Sequence, residues 1–238
     1  MLEQLNALLA QNEMFTPATL AEYWQGTVLT VQLTFISVVL GLFIAVPLAV
    51  IRASQWRWLS RAVWLFTYVF RGTPLLIQLY LIYYGVTMID GIQDSSLWYL
   101  LEDAFYPCLV AFILNTAAYS TEIIRGAIVT SDKGEMEAAQ AYGMSYWQIL
   151  RRITLPAAFR RALPAYSNEV IFMLHATSIA SVVTLVDLTG AGYNIYARYY
   201  APFEAFMFAG AVYLCLCFMI FAGFKKLEQR ACRHLVTA

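Results

Sequence analysis

The chain has 238 residues, 61% of them hydrophobic and 13% charged, and its mean hydropathy of +0.63 excludes an ordinary water-soluble domain with a solvated surface. Fifteen Lys and Arg balance fifteen Asp and Glu, which argues against a nucleic-acid partner. The four cysteines, Cys108, Cys215, Cys217 and Cys232, show no CxxC spacing and read as membrane-core or surface thiols, so no metal site is expected.

Residues 1–25 contain no Lys or Arg and no early apolar core, so they are expected to form a periplasmic or interfacial segment rather than a signal peptide. A helix needs roughly 20 largely apolar residues to cross ~30 Å of hydrocarbon. By that measure five spans follow, at residues 26–51, 62–86, 105–129, 165–186 and 205–223. Unpaired backbone groups are not tolerated in lipid and nothing alternates like barrel strands, so an all-α integral membrane protein with five transmembrane helices is expected. The transmembrane domain is placed at 26–226 and a cytoplasmic tail at 227–238. The fourth span is the least apolar, with Asn168, Glu169, His175, Thr177 and Ser178 inside it, and should face protein or water.

Basic residues set the orientation. Arg52, Arg57 and Arg61 fill the first connection, Lys133, Arg151, Arg152, Arg160 and Arg161 the third, and Lys225, Lys226, Arg230 and Arg233 the tail. The second connection is acidic (Asp90, Asp94, Glu102, Asp103), the fourth has only Arg198, and the N-terminal stretch carries Glu3, Glu13 and Glu22 without a cation before residue 26. The alternation predicts a periplasmic N-terminus and a cytoplasmic C-terminus.

Between spans three and four, about residues 132–156, lies a short polar helical hairpin. Asp132 and Glu135 have capping-box spacing, Gly143 is suited to a left-handed stop, Ser145 to capping a second helix, and Pro156 to ending it. Trp147, Leu150 and Ile153 give the second piece an apolar face with Arg151 and Arg152 turned outward. Pattern alone leaves two readings: an interfacial linker, or paired helices that insert into a groove of a soluble partner.

Glu137, Ala138, Ala139, Gly143, Ile153, Leu155 and Pro156 together resemble the EAA loop of ABC importer permeases. Arg71, Gly72, Thr73, Pro74, Leu75, Leu76 and Gln78 are similar to the RGTP signature of the polar amino acid subfamily, and residues 163–181 resemble the segment that follows its EAA loop. The likeness extends in particular to the M-type membrane subunits of bacterial histidine, lysine, arginine and ornithine importers. It implies a multi-pass bacterial inner-membrane subunit with a cytoplasmic coupling hairpin. The implied partners are two cytoplasmic ABC ATPase subunits, a second permease subunit that is a paralogue, and a periplasmic amino-acid-binding protein. With no GxxxxGK[ST] loop in this sequence, ATP and Mg would belong to the ATPase subunits; the chain would bind no cofactor and hold no catalytic residue.

Ionisable residues inside spans are functional candidates because lipid penalises them. Glu122 has two readings: an ion pair with Arg71 or another structural role, or, with Arg71, a contact for the ammonium and carboxylate common to amino acid substrates. Where this chain has Glu169 and His175, many relatives of neutral or acidic specificity carry an uncharged amide and a lysine. The substitution implies a path for a cationic side chain, to which Tyr166, Asn168, Thr177 and Ser178 add polar groups. A structural Glu169 and a satisfied core His175 remain the plainer reading. A neutral polar substrate such as glutamine is the alternative within the family; a stand-alone channel or carrier would leave the hairpin unexplained.

Overall fold

The computed structural model describes residues 14–96 and 98–231. Residues 1–13 of the expected N-terminal segment, with Glu3 and Glu13, and 232–238 of the tail, with Arg233, lie outside the described residues. Among the described residues every regular element is a helix: α1 Pro17–Ala53, α2 Arg57–Gly72, α3 Leu75–Thr87, α4 Trp98–Leu101, α5 Phe105–Val129, α6 Lys133–Ala141, α7 Tyr146–Ile149, α8 Leu155–Ala176, α9 Leu188–Tyr199 and α10 Pro202–Ala231.

Three helices, α1, α5 and α10, are long and apolar enough to span a membrane unaided, and they contain the first, third and fifth expected spans. The first starts earlier than expected, because Pro17 opens the helix and the Thr16 hydroxyl accepts the Thr19 N–H at 3.3 Å. The other two spans are each a bent pair of helices where the sequence predicts a single one. The second divides at Thr73 and Pro74, where α2 and α3 meet at 103°. Pro74 has no N–H and pushes the preceding residue into extended backbone, and Thr73 is extended at φ −114°, ψ 144°. The fourth tightens after Ala176 into a 3₁₀ helix, Thr177–Val183, passes a left-handed Thr184 at φ 72°, and resumes as α9 at 49°.

Helices α1 and α5 form the central seam. The buried face of α1 repeats at three and four residues through Thr30, Thr34, Ser37, Gly41, Ala45 and Ala49, small side chains that let backbones approach. Ala45 and Ala49 pack on Ile124, and a Cβ at Gly41 would lie 2.4 Å from the Thr116 methyl. At the other end of α1, a Cβ at Gly26 would lie 2.7 Å from the Asp187 carbonyl oxygen. Asp187 is buried and caps α9 through the Thr189 and Gly190 N–H groups at 3.1 and 3.0 Å, while the Leu188 N–H is taken by the Thr30 hydroxyl at 3.1 Å. Helix α10 buries only Ala205 and Ala209 and exposes Phe206, Leu214, Phe218 and Phe221, as a lipid-facing helix would.

The hairpin forms with two corrections. Asp132 accepts the Gly134 N–H at 2.8 Å, an N-cap made without Glu135. Gly143 is left-handed at φ 79°, and the Met144 and Gly143 N–H groups return to the Ala139 and Gln140 carbonyls at 3.1 and 2.9 Å, the paired bonds of a glycine helix stop. Ser145 then starts α7, with Gln148 reaching back to the Ser145 N–H at 2.8 Å. Pro156 does not end the second helix. A widened π-turn at Leu150–Thr154, closed by the Leu155 N–H on the Leu150 carbonyl, leads into α8 with Pro156 in its first turn, where no intrahelical donor is required.

Replacing Gly26 with Leu is expected to cost about 1–3 kcal/mol, since the new side chain meets backbone that cannot turn aside. Gly210→Leu, at a position with nothing within 4 Å, should leave stability near the parent value. Thermal aggregation midpoints of the two purified variants in detergent check the contrast.

Candidate functional site

The break between α2 and α3 creates polar backbone inside an apolar layer, and two amides satisfy it. The Gln78 side-chain amide donates to the carbonyls of Phe70 and Thr73 at 2.7 and 3.0 Å and to the Thr73 hydroxyl at 2.8 Å. Asn115 on α5 donates to the Gln78 carbonyl oxygen at 3.0 Å, which fixes that amide's orientation. The sequence singled out Gln78 only as part of a motif and missed Asn115. The signal was an amide inside an otherwise apolar span.

Against this break lies a cavity of about 690 Å³. Arg71 and Thr73 line it from the break, Asn115 and Tyr119 from α5, and Ala165, Asn168, Glu169, Phe172, Met173 and Ala176 from α8. The α8 set follows the three-and-four spacing of one helix face. Glu169 is 6% exposed and accepts a hydrogen bond from the Thr116 hydroxyl at 2.9 Å. The Arg71 guanidinium lies 5.2 Å from the centre of the Tyr119 ring and makes no ion pair among the described residues. One carboxylate, one guanidinium and two carboxamides thus share a mostly apolar chamber. Such a set complements a zwitterion: the guanidinium suits a carboxylate, and the carboxylate suits an ammonium.

The structure separates the remaining sequence candidates. Glu122 lines a neighbouring cavity of about 580 Å³ that also contains Arg71. It does not pair with Arg71. Its partners are Arg125 Nε at 2.6 Å, Arg52 Nε at 3.5 Å and the Thr67 hydroxyl at 3.1 Å, because Arg125 stands one helical turn away on α5. His175 lies off the cavity face of α8, with Nε2 3.1 Å from Cys217 Sγ of α10. Thr177 donates to the Leu174 carbonyl at 2.7 Å, the Ser178 carbonyl accepts from Ser181, and neither lines the cavity. Tyr166 turns away towards α1 and donates to the Val38 carbonyl at 3.2 Å. Asn168 and Glu169 are thus brought together with Arg71; His175, Thr177 and Ser178 are not.

A separate groove of about 540 Å³ runs along the hairpin, lined by Glu135, Ala138, Ala139, Tyr142, Met144, Arg152, Ile153 and Pro156 among others. Glu137 is exposed beside it, and Tyr142 and Trp147 stand 90% and 71% exposed. Large exposed aromatics flanking a groove mark a contact surface.

A cavity at a broken helix within a bundle of membrane-length helices is an arrangement that membrane transporters use. The family model described as "Binding-protein-dependent transport system inner membrane component" matches residues 37–233, and the chain belongs to that family. It is 40% identical over 228 residues to the histidine/lysine/arginine/ornithine transport system permease protein HisM of Escherichia coli (strain K12), covering 91% of this chain and 96% of that one. It is 42% identical over 221 residues to the octopine transport system permease protein OccM of Rhizobium radiobacter, covering 90% and 89%. A chain of an amino acid ABC transporter crystallised with histidines superposes with TM-score 0.77 at 31% identity, covering 88% of this chain and 94% of that one. An inward-facing MetNI methionine transporter shares the fold, with TM-score 0.75 at 18% identity over 91% and 99% of the two chains.

Thr116→Val keeps the shape of the side chain and removes the donor to Glu169, leaving a buried carboxylate short of one hydrogen bond. The expected cost is about 1–3 kcal/mol of stability. Thr116→Ser, which keeps the hydroxyl, should recover most of it in the same thermal unfolding measurement.

Proposed function

We propose that this chain is the membrane permease of an importer for cationic amino acids of the arginine, lysine, ornithine and histidine class, and that the chamber of Arg71, Asn168 and Glu169 is its substrate path. The observation that carries the reading is the buried Glu169 carboxylate on the face of α8 that lines the cavity, with Arg71 on the facing wall. A carboxylate in a low-dielectric chamber favours a cationic side chain far more than the same carboxylate in water. The names of the HisM and OccM relatives support the substrate class. His175 adds nothing to this reading, since its ring faces α10.

In this proposal the N-terminus lies in the periplasm and the C-terminus and hairpin in the cytoplasm, following the basic residues. A periplasmic binding protein delivers the amino acid. Two ATPase subunits hold ATP and Mg and engage the groove beside Glu137, Ala138, Ala139 and Gly143, with Ile153, Leu155 and Pro156 on the facing wall or next to it. The left-handed stop at Gly143 sets the angle between α6 and α7, and the π-turn at Leu150–Thr154 joins α7 to α8 without a break, so movement of a docked partner is transmitted into α8 and hence to Asn168 and Glu169. A second permease subunit, a paralogue, completes the pathway.

Glu169→Gln keeps size and hydrogen bonding and removes charge. In proteoliposomes carrying the complete importer, uptake efficiency for arginine should fall about tenfold relative to histidine measured at mildly alkaline pH, where imidazole is neutral. Equal relative rates in an assembled complex would count against a cationic path and favour a neutral polar substrate such as glutamine, which the balanced charges of Arg71 and Glu169 also accommodate.

A further inference from the structure

Apart from Arg71, which it shares with the chamber, the cavity around Glu122 belongs to no step of the transport reading. Residues 52–72 contain Arg52, Arg57, Arg61 and Arg71 and no acidic residue. Three guanidiniums, Arg52, Arg71 and Arg125, line the cavity of about 580 Å³ against the single carboxylate of Glu122, so it keeps a net positive charge. Glu122 engages the Nε edges of Arg125 and Arg52, and among the described residues no hydrogen bond occupies the terminal nitrogens of Arg125. Guanidinium ends of this kind bind phosphate oxygens in paired hydrogen bonds.

The cavity's position says which phosphate. Arg52 stands in the last turn of the 37-residue α1, at the edge of the layer that the helix crosses. The cavity wall on α2 is formed by Trp64, Tyr68 and Val69, which are 45%, 64% and 45% exposed. The start of α2 lies at that edge, where Arg52 Nη1 donates to the Ser60 hydroxyl oxygen at 3.1 Å, and it carries Arg57, Arg61 and an 84% exposed Trp58 on its outer surface. A helix end with exposed aromatics and arginines is the signature of the membrane interface. A free anion would use the guanidiniums alone; a lipid uses them and the adjoining apolar wall.

We propose that this cavity is a binding site for the headgroup of an anionic phospholipid, with the phosphate on Arg125 beside Arg52 and the glycerol and acyl region along Trp64, Tyr68 and Val69. The complete importer, purified and exchanged into mixtures of phosphatidylglycerol and phosphatidylcholine, is analysed by native mass spectrometry for retained lipid. Phosphatidylglycerol should be retained in preference. Arg125→Gln should lower its retention about fivefold, the effect of one interfacial charge, and Glu122→Gln should raise it by a similar factor. Opposite signs in two variants of the same ion pair separate binding from damage to the fold. Equal retention of the two lipids, as when a second permease subunit covers α2, overturns the proposal. So does a fall in both variants, or displacement of the phosphatidylglycerol by millimolar inorganic phosphate, which would make the site one for free anions.

Discussion

The hydrogen bonds from Gln78 to the backbone of Phe70 and Thr73 are the interaction on which the functional architecture rests. A helix that breaks within a lipid layer exposes carbonyls that water cannot reach, and each would cost several kcal/mol if left alone. One side-chain amide, oriented by Asn115, takes up two of these carbonyls and the Thr73 hydroxyl. With the break stabilised, α2 turns away from α3, and the space it leaves becomes the chamber into which Arg71 and Thr73 face. A straight helix would fill that space.

The opposite wall depends on the absence of a side chain. Gly41 lets the Thr116 methyl lie against α1, and Thr116 directs its hydroxyl to Glu169. The seam that holds α1 to α5 thus also satisfies the carboxylate that gives the chamber its character. Packing and electrostatics share one residue here, and a change in helix spacing would be felt at Glu169. The link to the hairpin is equally direct, because α8 carries Glu169 near its middle and emerges from the π-turn at its other end.

Much of this was legible in the sequence. The three unbroken spans follow from hydropathy, and the left-handed stop at Gly143 from a glycine between two short helical patterns. The RGTP stretch held the break in plain sight, since Gly72, Thr73 and Pro74 in a row favour a helix break, yet a hydropathy window reads through them. Pro156 was read as a stop because a regular helix would need its N–H; the preceding π-turn and its place in the first turn of α8 remove that need. Glu122 was offered a distant partner when Arg125 stood three residues away. The family resemblance groups His175 with Glu169, but a step of six positions along the helix turns its ring to another face. Asn115 and Thr116 carried no motif, and their importance appears only when α3, α5 and α8 are brought together.

The central claim is that the amino acid passes through the chamber of Arg71, Asn168 and Glu169. It is tested most directly by accessibility at Asn168, which lines the chamber and is exposed within it. In a background with Cys108, Cys215, Cys217 and Cys232 replaced by alanine, Asn168→Cys is assembled with its partners and labelled with a small positively charged thiol reagent. Arginine should slow labelling there, whereas a cysteine in the hairpin groove, as in Tyr142→Cys, should be unaffected by it. Labelling of Asn168→Cys at the same rate with and without arginine, in a complex that still transports it, would place the path elsewhere.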